Sequence, residues 1–282
     1  MYLENIIPKD GPSIDEVKKY IKKYSNELIV IKCGGSVLLD VGLFNQFIED
    51  ISAINHLGLS VIVVHGGGKN IKKELDKHKI ESKFINGLRV TDKKTITIVV
   101  DALLELNTEI YNNLTNKKAN AKSVTPKSEN IIKITPEKKE LGFVGNPKKI
   151  NKEALLNIVT EKKVPIVAPM GVGDDGKIYN INADVVSGSI AKELSSRRLL
   201  LMTDVEGVLD KDKNLISEID SKLALKMLKD GDISGGMIPK INTCLDAVNN
   251  GVTGVVIVDG RKPHSILFEL FSDKGAGTLI RK

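Results

Sequence analysis

The 282-residue chain contains no tryptophan, and aromatic residues make up only 4% of it. Stacking platforms for single-stranded nucleic acid are therefore scarce. The net charge of +6 comes from lysines dispersed along the chain, which reads as solvated helix faces and gives no expectation of a nucleic-acid partner. Cysteine is nearly missing: Cys33 and Cys244 are too few for a disulfide framework and lack the spacing of a zinc site, which suits a reducing compartment. No stretch nears the ~18 apolar residues of a membrane helix. Nor does the N-terminus show a basic region followed by an apolar one, so the expectation is a cytoplasmic protein with no membrane partner. The nucleotide-loop pattern G-x-x-x-x-G-K-[ST] does not occur either. A phosphate site here must be built from other glycine turns.

What is present is a series of short, apolar, β-rich runs: "LIVIK" (28–32), "VIVVH" (61–65), "VPIVAP" (164–169), "LLLMT" (199–203) and "GVVIVD" (254–259). Each is nearly continuous in hydrophobicity and leads into a turn and a helix-like segment, the pattern of parallel strands buried on both faces. The expected class is α/β, a three-layer sandwich with a central, mostly parallel sheet. Helices are expected at 41–57, 67–79, 92–117, 151–162, 182–196, 221–230 and 239–250. "IIKIT" (131–135) beside "LGFVG" (141–145) reads as a hairpin on the sheet edge, and a boundary is placed near residue 196. Before the first core strand, "SIDEVKKYIKKYS" (13–25) carries a capping box, Ser13 with a glutamate three positions on. Its apolar face, Ile14, Val17, Ile21 and Tyr24, suits packing on its own domain or contact with another copy.

The first strand ends "IKCGGS", where Lys32 precedes Gly34, Gly35 and Ser36. Glycines at a strand-to-helix turn turn backbone N–H groups toward an anion, although such turns also simply start helices. The second strand repeats the device with "HGGGKN" (65–70), and two such turns at strand carboxyl ends converge on the crevice where open α/β sheets bind ligands. Arg89 in "NGLRVTD" (86–92) is either a surface charge or a planar fork for a carboxylate. Asn180, Asn182 and Asp184 alternate at the head of a small-residue helix, where they cap it or organise nearby cations. "SGGMIPK" (234–240) brings Lys240 on a glycine-bearing loop, as phosphoryl transfer requires of a charge-balancing lysine.

Taken in order, K-x-G-G-S, H-G-G-G, N-G-L-R-V-T, "ELGFVG", "YNINADVVSGSIA", "TDVEGVLD" and "GGMIPK" resemble the amino acid kinase family, on the branch that phosphorylates the side-chain carboxylate of N-acetyl-L-glutamate. The resemblance implies that family's fold, with an extension helix at 1–25, a substrate-binding and dimerisation lobe at 26–196, and a nucleotide-binding lobe at 197–282. It implies that Gly67 and Gly68 close on acetylglutamate, that Arg89 holds its α-carboxylate and that Asn180 contacts it. Gly34 and Gly35 would line the ATP phosphates, with Thr203, Asp204 and Gly207 on the nucleotide side. Lys32 and Lys240 would flank the transferring group, and Asp184 would orient both. Mg²⁺ would arrive with ATP, without a dedicated protein site. The resemblance extends to the arginine-inhibited form, a hexamer of three dimers that binds arginine near Glu269, Gly275 and Gly277, with a PII signalling protein as a further partner. One departure is Val256, where inhibited relatives often carry histidine.

A glutamyl carboxylate has a pKa near ~4.3, so the nucleophile is already ionised at neutral pH and needs no base. The obstacle is anion–anion repulsion: unit charges ~4 Å apart interact by ~4 kcal/mol at an effective dielectric of ~20. Two lysines, backbone amides and a metal ion answer that problem. Two other readings are a kinase for a carrier-linked aminoadipate, which would want an open basic mouth near Lys83, and a non-catalytic arginine sensor, which would not need Lys32, Asp184 and Lys240 together.

Overall fold

The computed structural model describes residues 3–282. Residues 1 and 2 of the expected N-terminal extension lie outside the described residues.

The apolar runs form one eight-stranded sheet. Its order is Glu218–Asp220, Gly277–Arg281, Val255–Asp259, Arg198–Thr203, Leu28–Cys33, Ser60–His65, Val164–Val167 and Ala121–Val124. Six of these strands run parallel, while Gly277–Arg281 pairs antiparallel with Val255–Asp259 and carries Glu218–Asp220 with it. Alternate residues supply two separate cores. Val30, Ile62, Val64, Leu199 and Leu201 pack on one face with residues of helices Lys152–Thr160, Ala183–Glu193, Ser221–Asp230 and Met237–Asn249. Ile29, Ile31, Val61, Val63, Leu200 and Met202 face the other way, toward helices Val41–His56, Lys93–Asn116 and Ser265–Phe271. The three-layer α/β expectation thus matches the fold. The sheet also crosses residue 196 without a break, since Ile29 pairs with Arg198.

The expected edge hairpin is different in detail. Ile132–Pro136 pairs antiparallel with Gly145–Ile150, and both join Met170–Val172 and Ile178–Asn180 in a second, four-stranded sheet. Of the strand expected over 141–145 only Gly145 is in one, and Leu141 ends a 3₁₀ turn, Lys139–Leu141. The apolar "LGFV" misled because Leu141 and Val144 are buried as loop residues.

The N-terminal helix Ile14–Tyr24 begins with the capping box of Ser13 and Glu16. Its apolar face packs on its own chain: Val17 and Tyr24 are buried, and Tyr24 meets Phe271 edge-on with ring centroids 6.3 Å apart. Val256 is buried in the same core. Nearby, buried His264 bridges two carboxylates, with Nδ1 2.6 Å from Asp50 and Nε2 3.1 Å from Asp10. This bridge ties the segment before the N-terminal helix to helix Val41–His56 and to the start of helix Ser265–Phe271.

Candidate active site

Lys32 and His65 stand at the carboxyl ends of neighbouring parallel strands, with Cys33 paired to His65. Both glycine turns therefore open at the same end of the sheet. They touch there: Gly66 donates its N–H to the Cys33 carbonyl at 2.6 Å, and a Cβ on Gly66 would stand 3.3 Å from Gly34 Cα. A Cβ on Gly67 would meet Leu103 at 2.5 Å, whereas Gly68 has open space beside it. The glycine triplet thus lets two turns and a helix crowd together, and exposes the backbone at the head of helix Gly68–Lys77 to the cleft.

His65 shapes this turn and does not titrate near neutrality. Burial pushes its ring down to about 4. The neutral ring bonds the Gly66 carbonyl through Nδ1 at 2.8 Å and lies 3.1 Å from Asn107 Nδ2 through Nε2. Asn107 in turn accepts a hydrogen bond from Ser123 at 2.6 Å and donates to the Ile166 carbonyl at 2.8 Å.

A cleft of about 470 Å³ opens over these turns, and its lining includes Lys32, Gly34, Gly35, Gly67, Gly68, Arg89, Asn180 and Asp184. At its floor, Asp184 holds two lysines. Lys240 Nζ donates to Oδ2 at 2.7 Å, and Lys32 Nζ stands 2.9 Å from Oδ1. The second is a close ion pair with a poorer angle than the first. Asp184 lies in the first turn of helix Ala183–Glu193, where its own N–H donates to the capping Asn182 side chain at 2.8 Å. Burial opposes its ionisation, but the two lysines outweigh burial and hold the carboxyl down to about 2. One carboxylate between two cations leaves a positive surplus facing the cleft. The glycine at 34 is required for this geometry, since a Cβ would stand 2.7 Å from the Lys32 ammonium.

Across the cleft, Arg89 is buried, and burial pushes its guanidinium below its ordinary range. It donates to Ser82 Oγ and, at 3.0 Å, to the Gly68 carbonyl, and it lies 4.7 Å from the Phe84 ring centre. No carboxylate among the described residues forms a salt bridge with it. A buried guanidinium with neutral partners only is a prepared site for an anion.

Asp204 joins the glycine turn that follows strand Leu28–Cys33. Its Oδ1 accepts the Ser36 N–H at 2.8 Å, and Lys69 Nζ donates to Ser36 Oγ at 2.9 Å and to Asp204 Oδ2 at 3.0 Å. Partial burial works against ionisation of Asp204, but the Ser36 amide and Lys69 keep its carboxyl below the usual range. Thr203 and Gly207 do not line the cleft. Thr203 ends its strand and accepts the Gly260 N–H at 2.9 Å, while a Cβ on Gly207 would stand 2.5 Å from Thr278 Oγ1. Of the expected effector residues, Gly275 and Gly277 line one cavity of about 350 Å³ and Glu269 does not. Glu269 Oε2 accepts the Ala276 N–H at 2.7 Å, and a Cβ on Gly275 would stand 2.8 Å from that oxygen. Gly277 instead lies against the sheet, where a Cβ would fall 2.0 Å from the Ile257 carbonyl oxygen. Burial raises the Glu269 carboxyl.

Sequence reading missed Lys69 as a partner of the phosphate turn, the His65–Asn107–Ser123 chain and the Phe84 ring beside Arg89. Lys69 stood in plain view within "HGGGKN", but nothing in the sequence gives the direction of its side chain.

A model of the amino acid kinase family matches residues 27–259. Among similar relatives, the acetylglutamate kinase of Pelagibacter ubique (strain HTCC1062) is 57% identical over 280 residues, covering 99% of this chain and 97% of that one. The acetylglutamate kinase of Clostridioides difficile (strain 630) is 45% identical over 272 residues, covering 95% of each. Among solved structures, N-acetylglutamate synthase from Neisseria gonorrhoeae, complexed with coenzyme A and N-acetyl-glutamate, superposes with a TM-score of 0.87 at 22% identity. That match covers 96% of this chain and 64% of the synthase chain, and it speaks for the fold alone. The chain belongs to the amino acid kinase family, among its acetylglutamate kinases.

Proposed function

We propose that this chain transfers the γ-phosphoryl group of ATP to the side-chain carboxylate of N-acetyl-L-glutamate, a step of arginine biosynthesis. The observation that carries the reading is that a buried Arg89 lacking a carboxylate shares one glycine-lined cleft with Lys32 and Asp184, the latter also holding Lys240. Arg89 takes the α-carboxylate, Asn180 and the exposed backbone at Gly67 and Gly68 hold the rest of the substrate, and the side chain points toward the lysines. Because the acceptor is already ionised, no residue has to remove a proton. Asp184, ionised far below neutrality, is no acid or base but holds Lys32 and Lys240 in place as charge builds on the transferring group. Gly34, Gly35 and Ser36 present the amides for the phosphates, with Asp204 beside them and Thr203 and Gly207 supporting its loop.

No group of three His, Cys, Asp or Glu side chains among the described residues is placed to cage a metal. A donor set this sparse fits Mg²⁺ held mainly by the phosphates, whose charge it would partly neutralise. The shared identity with acetylglutamate kinases favours free acetylglutamate over a carrier-linked aminoadipate. Two buried free thiols, pushed up by burial, suit the cytoplasm.

Feedback inhibition by arginine belongs to the same proposal. Supporting it are the Glu269 carboxylate and Gly275 in contact, near the N-terminal helix. A dimer-based hexamer and a PII partner are supported by the family resemblance, and the helix face expected to interlace copies is here covered by the chain itself. The test is hydroxylamine trapping of the acyl phosphate with Mg-ATP and N-acetylglutamate, repeated across an arginine titration. Hydroxamate is expected, falling as arginine rises. Absence of hydroxamate would overturn the kinase reading, and hydroxamate indifferent to arginine would remove the regulation alone.

A further inference from the structure

Lys69 is oddly placed for a surface lysine. It sits in the first turn of helix Gly68–Lys77, where the helix dipole is positive and a cation is disfavoured. Lys77 on the same helix pairs only with Glu74 one turn away, at 2.7 Å, whereas the Lys69 Nζ reaches back over the phosphate turn to Ser36 Oγ at 2.9 Å and to Asp204 Oδ2 at 3.0 Å. The pair spans the cleft, joining a helix of the substrate side to the loop that follows strand Arg198–Thr203. Its other end matters equally. Asp204 Oδ1 lies 2.8 Å from the Ser36 N–H, and a Cβ on Gly35, at φ +66°, would fall 2.4 Å from that oxygen. A side-chain carboxylate thus rests on the amide that faces outward from the glycine turn, and a lysine neutralises it.

We infer that Lys69 is a third phosphate-binding cation of this site, held on Asp204 until the polyphosphate of the nucleotide takes its place. The inference rests on the ATP reading above and deepens it. A phosphate oxygen has the same demand as the Asp204 carboxylate, an N–H donor from Ser36 and a charge partner from Lys69. Lys32 and Lys240 are both committed to Asp184 at the floor. Lys69, with a half-exposed side chain, is the cation in the cleft lining that already touches the phosphate turn. Its stem is long enough to follow a phosphate without movement of the helix.

The experiment measures binding of inorganic tripolyphosphate, a non-hydrolysable ATP analogue, AMP and N-acetylglutamate to the full-length wild type, Lys69→Met and Lys69→Arg. In Lys69→Met the affinities for tripolyphosphate and the ATP analogue are expected to fall by roughly 10-fold or more, the weight of a charge-assisted hydrogen bond. AMP and acetylglutamate affinities stay within about twofold on the same principle, and Lys69→Arg recovers most of the loss. Tripolyphosphate affinity unchanged in Lys69→Met would overturn the inference and leave Lys69 as a mere partner of Asp204. A wild type that binds neither tripolyphosphate nor the ATP analogue would overturn this inference and the ATP reading together, which separates the two failures.

Discussion

Two buried charge clusters in this molecule are built as opposites. At the cleft floor one carboxylate, Asp184, sits between two lysines. At the N-terminal tie one imidazole, His264, sits between two carboxylates, Asp50 and Asp10. The first leaves a positive surplus open to solvent and thus waits for an anion. The second joins three parts of the chain, with His264 and Asp50 buried against each other and Asp10 reaching in from the exposed side. Burial alone does not tell a site from a strut. What separates them is the sign left over and what the groups meet: lysines beside the glycine-lined cleft, or a histidine that pins three segments together.

The largest effect that would test the contrast is at the floor. Asp184→Asn should lower kcat by roughly 10²- to 10³-fold, since both lysines lose the group that preorganises them. The folded state should persist, because the lysines can turn toward the cleft. Steady-state kinetics beside a melting curve check both parts, and a variant that unfolds while keeping its specific activity would make Asp184 a strut like His264. Arg89→Gln comes next: the KM for acetylglutamate should rise by about 10- to 100-fold with a smaller change in kcat, as expected when a charged anchor to a non-reacting carboxylate is removed.

The smallest activity effect, and the clearest stability effect, belongs to the tie. The hydrogen bond that His264 donates to Asp50 raises the ring above its ordinary range, and burial pushes Asp50 up to about 6. Both shifts mean that the folded chain keeps a proton the unfolded chain has released. The His264 contribution is therefore fully present below the ordinary histidine value of ~6.5 and is lost as pH rises through its raised value, while the Asp50 contribution is lost lower down, from the ordinary aspartate value of ~3.9 up to about 6. His264→Gln should cost about 3 kcal/mol at pH 6, the scale for breaking a buried pair, with the gap to wild type narrowing above that window. Denaturant melts at several pH values measure it, and a gap that widened with pH would reverse the assignment.

Much of this was legible in the sequence because it depends on local signals. The buried strands announce themselves as β-branched runs, and helix Ile14–Tyr24 through Ser13 and Glu16. Strand Ala121–Val124 was missed because "AKSV" lies at a sheet edge, where one flank has no partner and no apolar run is needed. The glycine turns, Lys32, Asp184 and Lys240 were readable as a set by resemblance to a family. Lys69 on Asp204 and Asn107 on His65 were not, since each contact joins distant residues through side-chain directions that only packing decides.

The continuity of the main sheet has a consequence for how the chain is made. Strand Leu28–Cys33 lies at its middle, hydrogen-bonded on one side to Ser60–His65 and on the other to Arg198–Thr203. The first neighbour leaves the ribosome soon after it, but the second follows roughly 170 residues later, on the order of 10 to 30 s at ordinary elongation rates. For that interval a buried, largely apolar central strand is a half-paired edge. The nascent chain must shield it, by its own early helices or by a chaperone, until the half that carries Lys240 arrives to close both the sheet and the cluster around Asp184 at once.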